Sequence, residues 1–170
     1  MSTYVFIELP YPLNEWIDEP KTVFPVPVED AGQLQSTEEP QPELILFALE
    51  RYLEDQPDKR TRYTKSGGQL AFRTAVELFT NGLKEESIAF YELSLRLNPD
   101  VLLVRINYAV ALHALCYRDA ALAEYYEIMQ RTTPIENLRI WILAGEIYLY
   151  HKEFEHIVEL LEPLAKDLFP

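Results

Sequence analysis

The chain has one cysteine, Cys116, in 170 residues. No intramolecular disulfide can staple it, which fits a reducing, cytoplasmic setting. Glycine is scarce at five residues, and none builds a phosphate-cradling loop. Bases are outnumbered, 15 against 28 acids, for a formal charge of −13. So acidic a chain lacks the continuous basic stripe that nucleic acid or an anionic membrane surface needs, and a basic peptide suits it better. Long hydrophobic runs are also missing. Nothing approaches the roughly 20 apolar residues of a membrane span. The opening stretch, MSTYVFIELPYPLNEW, has no positive segment and reaches Glu8 early, so it does not read as a secretory signal.

What is present divides the chain sharply. Residues 1–42 hold seven of the twelve prolines and eight acids against a single base, Lys21. So many prolines predict a segment without helix. Its two apolar runs, TYVFIEL (3–9) and TVFPVPV (22–28), read as extended pieces, and STEEPQPE (36–43) reads as a linker. From Glu43 the pattern turns helical, with Leu46, Leu49 and Leu53 on one stripe, and Pro57 stops that helix. A basic stretch at 58–68, with Lys59, Arg60, Arg62 and Lys65, is expected as a loop before the next helix.

Beyond Gly68 the chain repeats itself. Ala75 and Ala109, Ser87 and Ala121, and Tyr91 and Tyr125 are each 34 residues apart. The same anchors continue at 36, from Ala109 to Gly145, Ala121 to Ile157 and Tyr125 to Leu161. A small residue once per unit on each helix marks where two backbones cross closely, and Tyr91 and Tyr125 fill the space beside the crossing. Each helix pair leaves an apolar face for the next to cover.

These residues resemble the tetratricopeptide repeat family. Trp141, Ala144, Gly145 and Tyr148 match the first half of its pattern; Ser87 with Tyr91, Ala121 with Tyr125 and Ile157 with Leu161 match the second; Pro99 and Pro134 close two units. Ile157 replaces the usual small residue, and the turns CYRD and HKEF have no glycine. The resemblance implies an all-α fold: a right-handed superhelix of about three helix-turn-helix units (68–101, 102–137, 138–170), with a capping helix and basic loop at 43–67 and a Pro-rich extended segment at 1–42.

The resemblance also assigns a concave groove lined by the first helix of each unit. Its inward positions are Phe72, Arg73, Val76 and Phe79; then Leu103, Ile106, Asn107, Val110 and His113; then Arg139, Ile142, Leu143, Glu146, Leu149 and Tyr150. Most are apolar, which suits an apolar peptide or helix of a partner protein. Some members of the family clamp the C-terminal carboxylate of chaperones. Asn107 and Arg139 match parts of that clamp, but Phe72, Val76 and Leu143 have no donor to offer.

His113 and Cys116 lie three apart, a spacing that invites a metal or nucleophile reading. A metal needs at least two more ligands, and His151 and His156 belong to another unit. A Cys–His pair needs an orienting group and an oxyanion hole, and no motif supplies them. The expectation is therefore no catalytic residue, no metal and no cofactor. The chain reads as an adaptor or assembly factor within a multi-subunit complex. The alternative is a dedicated chaperone, since size, acidity and unit number are similar to the chaperones of type III secretion translocators. Residues 3–28 are expected to pack against the repeat domain, as an internal partner of it.

Overall fold

The computed structural model describes residues 3–36 and 41–169. They form two compact units, the first ending at Val101 and the second beginning at Leu102. Helix dominates both, and the fold is all-α apart from one short hairpin.

In the first unit, β1 (Tyr4–Glu8) pairs antiparallel with β2 (Val23–Pro27), with Val5 opposite Val26 and Ile7 opposite Phe24. The Val28 N–H donates to the Thr3 carbonyl at 3.1 Å. Hydrogen-bonded positions alternate along an antiparallel ladder, so Pro25 and Pro27 fall where no donor toward β1 is needed. This is how a proline-rich segment forms a strand. Four helices follow: α1 (Val28–Ser36), α2 (Pro42–Asp55), α3 (Arg60–Thr80) and α4 (Lys84–Leu97). Pro42 sits in the first turn of α2, where a missing N–H costs nothing, and Ile45, Leu46, Leu49 and Leu53 are buried along its stripe.

The N-terminal segment packs on this unit as a built-in layer. Phe24 and Tyr63 are both fully buried with ring centroids 5.7 Å apart, and Tyr4 and Phe6 meet the Tyr52 ring edge-on at 5.2 and 5.9 Å. Asp18 takes Gln69 Nε2 at 2.8 Å and Lys65 Nζ at 3.2 Å. The Gln69 hydrogen bond, aided by Lys65, holds its carboxyl below the ordinary range. Of the basic stretch, Lys65 thus meets an acid of the N-terminal segment, whereas Lys59 pairs with its neighbour Asp58 at 2.9 Å.

Two expectations are corrected here. The first 42 residues do contain helix, because 28–36 carries no proline and places Glu29 and Asp30 in the first turn, where the helix dipole favours acids. The basic stretch is not a loop: α3 begins at Arg60 and runs through Gly67 and Gly68. Mid-helix glycine costs about 1 kcal/mol against alanine, but here it permits close packing. A Cβ on Gly67 would lie 3.0 Å from Leu49 Cδ2 and 3.2 Å from Leu97 Cδ1, and Ser94 Oγ donates to the Gly68 carbonyl at 2.8 Å. Of the linker expected over 36–43, residues 37–40 lie outside the described residues.

The second unit is two helical hairpins, α5 (Leu102–Ala114) with α6 (Arg118–Arg131) and α7 (Leu138–Tyr150) with α8 (Phe154–Leu168). Ala109 and Ala121 are fully buried, as close crossing of α5 and α6 requires, and Tyr125 is fully buried beside them. Arg105 Nη1 and Glu124 Oε2 join the two helices at 2.6 Å, both side chains largely out of water. In α7 and α8, Ala144 and Leu160 are buried and a Cβ on Gly145 would lie 3.7 Å from Leu160 Cδ2, whereas Leu161, the pattern's counterpart of Tyr125, is exposed. The stretch from α6 to α7 shows where the longer 36-residue spacing arises. Residues 132–137 join α6 to α7, two more than the 98–101 that join α4 to α5, and Thr133 closes the added turn by donating its N–H and Oγ1 to Glu136 at 2.8 and 2.9 Å.

The three turns within hairpins are built alike. Gly82, Cys116 and Lys152 have φ of 88°, 62° and 61°. The next residue donates its N–H five residues back in each case, Leu83 to Leu78, Tyr117 to Leu112 and Glu153 to Tyr148, all at 2.9 Å. This is the Schellman closure, whose left-handed position favours glycine. The two turns without glycine therefore keep the same backbone as the turn at Gly82 while holding side chains in a conformation that costs about 1–2 kcal/mol. Lys152→Gly is expected to stabilise the protein by about 0.5–1 kcal/mol, seen as a raised urea midpoint at unchanged m-value.

Candidate functional site

The candidate groove residues fall on the first helix of each hairpin. On α3, in the first unit, Phe72, Val76 and Phe79 are half-buried and Arg73 is exposed; Phe72 leans on Tyr91 at 6.3 Å and Lys84 Nζ sits 5.6 Å from the Phe79 ring. On α5, Leu103 is exposed, and Ile106, Asn107, Val110 and His113 are half-buried. Asn107 Nδ2 donates to the Leu103 carbonyl of its own helix at 2.8 Å, so one of its donors is engaged. On α7, Arg139, Ile142, Glu146, Leu149 and Tyr150 are exposed and Leu143 is half-buried.

The second unit brings three of these together. His113, Glu146 and Tyr150 line a cavity of about 550 Å³ with Cys116, Arg118, Ile147 and His151. The Schellman turn sets Cys116 at the end of α5, and the matching turn sets His151 at the end of α7. The remaining candidates on α5 and α7 lie outside this cavity. Of the four lining residues not named as groove positions, Cys116, Arg118 and His151 sit in or beside the turns at 116 and 152, which are 36 residues apart, and Ile147 is a buried residue of α7.

The cavity's polar groups are held in place. Tyr125 Oη lies 3.0 Å from His113 Nδ1. Burial pushes the Tyr125 phenol up to about 12, so it stays protonated and neutral at ordinary pH. Arg118 Nη2 contacts Glu153 Oε2 at 2.5 Å, which fixes the guanidinium in the wall. Cys116 meets His113 through the backbone, its N–H donating to the His113 carbonyl at 3.0 Å, while the His113 ring is turned to Tyr125; no group of three or more His, Cys, Asp or Glu side chains capable of holding a metal occurs among the described residues. What the arrangement offers chemically is a mouth with imidazole, guanidinium and carboxylate groups beside an apolar surface. Leu103, Ile142, Leu149 and Tyr150 of that surface are 58%, 53%, 58% and 84% exposed, far above what a packed core leaves.

No family model matches the chain, and no curated protein matches it. Solved structures do. The chain is similar to MamA 41-end from Desulfovibrio magneticus RS-1, at 17% identity with a TM-score of 0.52, and to the MamA RS-1 ArsTM double mutant, at 14% with a TM-score of 0.51. Both are all-α proteins of tetratricopeptide type. The fold is of the tetratricopeptide type. Each likeness covers 74% of this chain and 65% of the other, so this chain spans about two thirds of those solved chains. Among the described residues no helix is long and apolar enough to cross a membrane.

Proposed function

We propose that the protein is a non-catalytic interaction adaptor that holds an apolar peptide or helix of a partner protein against the exposed faces of α5 and α7. One observation carries this reading: Leu103, Ile142, Leu149 and Tyr150 are exposed on the first helices of successive hairpins in the second unit. Aromatic and aliphatic side chains left in water at helical spacing lose that exposure when a complementary segment covers them, at about 25 cal/mol per Å². The cavity at His113, Glu146 and Tyr150 then receives a polar group of the same segment and fixes its register.

Selection of displayed peptides on the full chain tests the reading. Enriched sequences are expected to be apolar at helical spacing. Ile142→Asp is expected to weaken them by about tenfold or more, because it places a charge in the covered face. Enriched ligands that bind Ile142→Asp as tightly as the parent overturn it.

A further inference from the structure

A second cavity, of about 420 Å³, opens among α6, α7 and α8 and is not lined by any residue of the surface described above. Its walls are of two kinds. Tyr126, Trp141, Pro134 and Pro163 supply flat faces, with Met129 and Leu160 beside them. At the rim stand Glu159 and Asp167 on α8, and neither forms an ion pair among the described residues, whereas Glu162 on the same helix is matched by Lys166 at 2.9 Å.

Pro163 adds a further acceptor. It lies inside α8 and has no N–H, so the Glu159 carbonyl lacks its ordinary helical donor four residues on. The Trp141 ring lines the cavity, whereas its indole Nε1–H is buried away from it and takes no part in what the cavity offers. The cavity therefore combines aromatic and prolyl faces, the apolar side chains of Met129 and Leu160, two carboxylates without an ion-pair partner among the described residues, and a backbone carbonyl without its ordinary helical donor. No basic side chain lines it among the described residues.

We propose that this cavity is a binding site for an arginine side chain of a partner protein. A guanidinium is planar and stacks on aromatic faces, where the ring quadrupole attracts the cation. Its three-carbon stem lies along Met129 and Leu160, as long basic side chains do on apolar surface. Its five donors meet the Glu159 carbonyl and carboxylate from one side. The net charge of −13 draws a basic segment toward the surface. A lysine ammonium, compact and strongly hydrated, gains less from flat walls, which is why arginine is the residue assigned.

Nitrogen-labelled full-length protein titrated with Nα-acetyl-arginine methylamide decides the matter. The indole cross-peak of Trp141, distinguished from that of Trp16 by its persistence in Trp16→Phe, is expected to shift saturably with a low-millimolar midpoint, while the Trp16 peak stays still. The norleucine and lysine analogues, and free arginine, whose own carboxylate is repelled by the rim, are each expected to bind at least about fivefold more weakly. Combined Glu159→Gln and Asp167→Asn is expected to raise the arginine midpoint about fivefold or more. The absence of a saturable shift, equal binding of any of the three comparison compounds, or an unchanged midpoint in the double variant overturns the proposal.

Discussion

Phe24→Ala is expected to cost the first unit about 3–5 kcal/mol, the range for truncating a fully buried phenylalanine. Phe24 has no exposed surface, and the ring it meets, Tyr63, has none either. Tyr63 in turn meets Tyr52 at 6.3 Å, and Tyr52 carries Tyr4 and Phe6 of β1, so the removal leaves a void at the base of one aromatic chain. The surrounding groups cannot collapse into it easily, because Gly67 already brings Leu49 and Leu97 to within contact of α3. Urea unfolding followed by circular dichroism measures the loss. A change within about 0.5 kcal/mol, the level of ordinary surface substitutions, would mean that the hairpin is not part of this unit's core.

In the second unit the largest effect is expected at Tyr125, where Tyr125→Ala should cost about 3–5 kcal/mol. The ring is fully buried beside the Ala109 and Ala121 crossing, and its hydroxyl meets His113 at 3.0 Å. Tyr125→Phe separates the two contributions. It keeps the ring and removes the hydroxyl, and is expected to cost about 0.5–1.5 kcal/mol, the net worth of one hydrogen bond. Both are read as shifts in the denaturation midpoint. A Phe variant as damaging as the Ala variant would place the stability in the hydroxyl rather than in the packing.

The repeat was legible because its signal is carried by packing. Ala109, Ala121 and Tyr125 recur at fixed spacing since two backbones can approach closely only at small residues, and all three are buried in the structure. The Trp141 and Tyr148 positions of the pattern are buried for the same reason. What the sequence concealed lies where one strong local signal is overruled by tertiary contact. The Gly67–Gly68 pair beside four bases reads as a loop, yet Leu49, Leu97 and Ser94 need those missing side chains, so the helix continues through them. The run TVFPVPV around Phe24 was legible as an extended piece, but its pairing was not: only the register with β1 shows that the Pro25 and Pro27 nitrogens fall where no donor is needed. At the candidate site, His113, Glu146 and Tyr150 were among the positions the resemblance named, and the structure brings these three to one cavity. Arg118 and His151 were not, because they flank turns, and turns are placed by backbone closure rather than by hydrophobic period.

Helices of the second unit pack chiefly on their neighbours in sequence, α5 on α6, α6 on α7 and α7 on α8. The last of them, α8, has Leu160 as its one buried residue. Free energy is consequently graded along this half of the molecule instead of shared evenly, in the manner of a one-dimensional stack whose end member opens first. Opening α8 separates a single interface and leaves α5 and α6 intact. A ligand gripping α8 against α6 and α7 would therefore act as a clasp on the weakest link, and its occupancy would be read out as order in a helix that the remainder of the unit does little to hold.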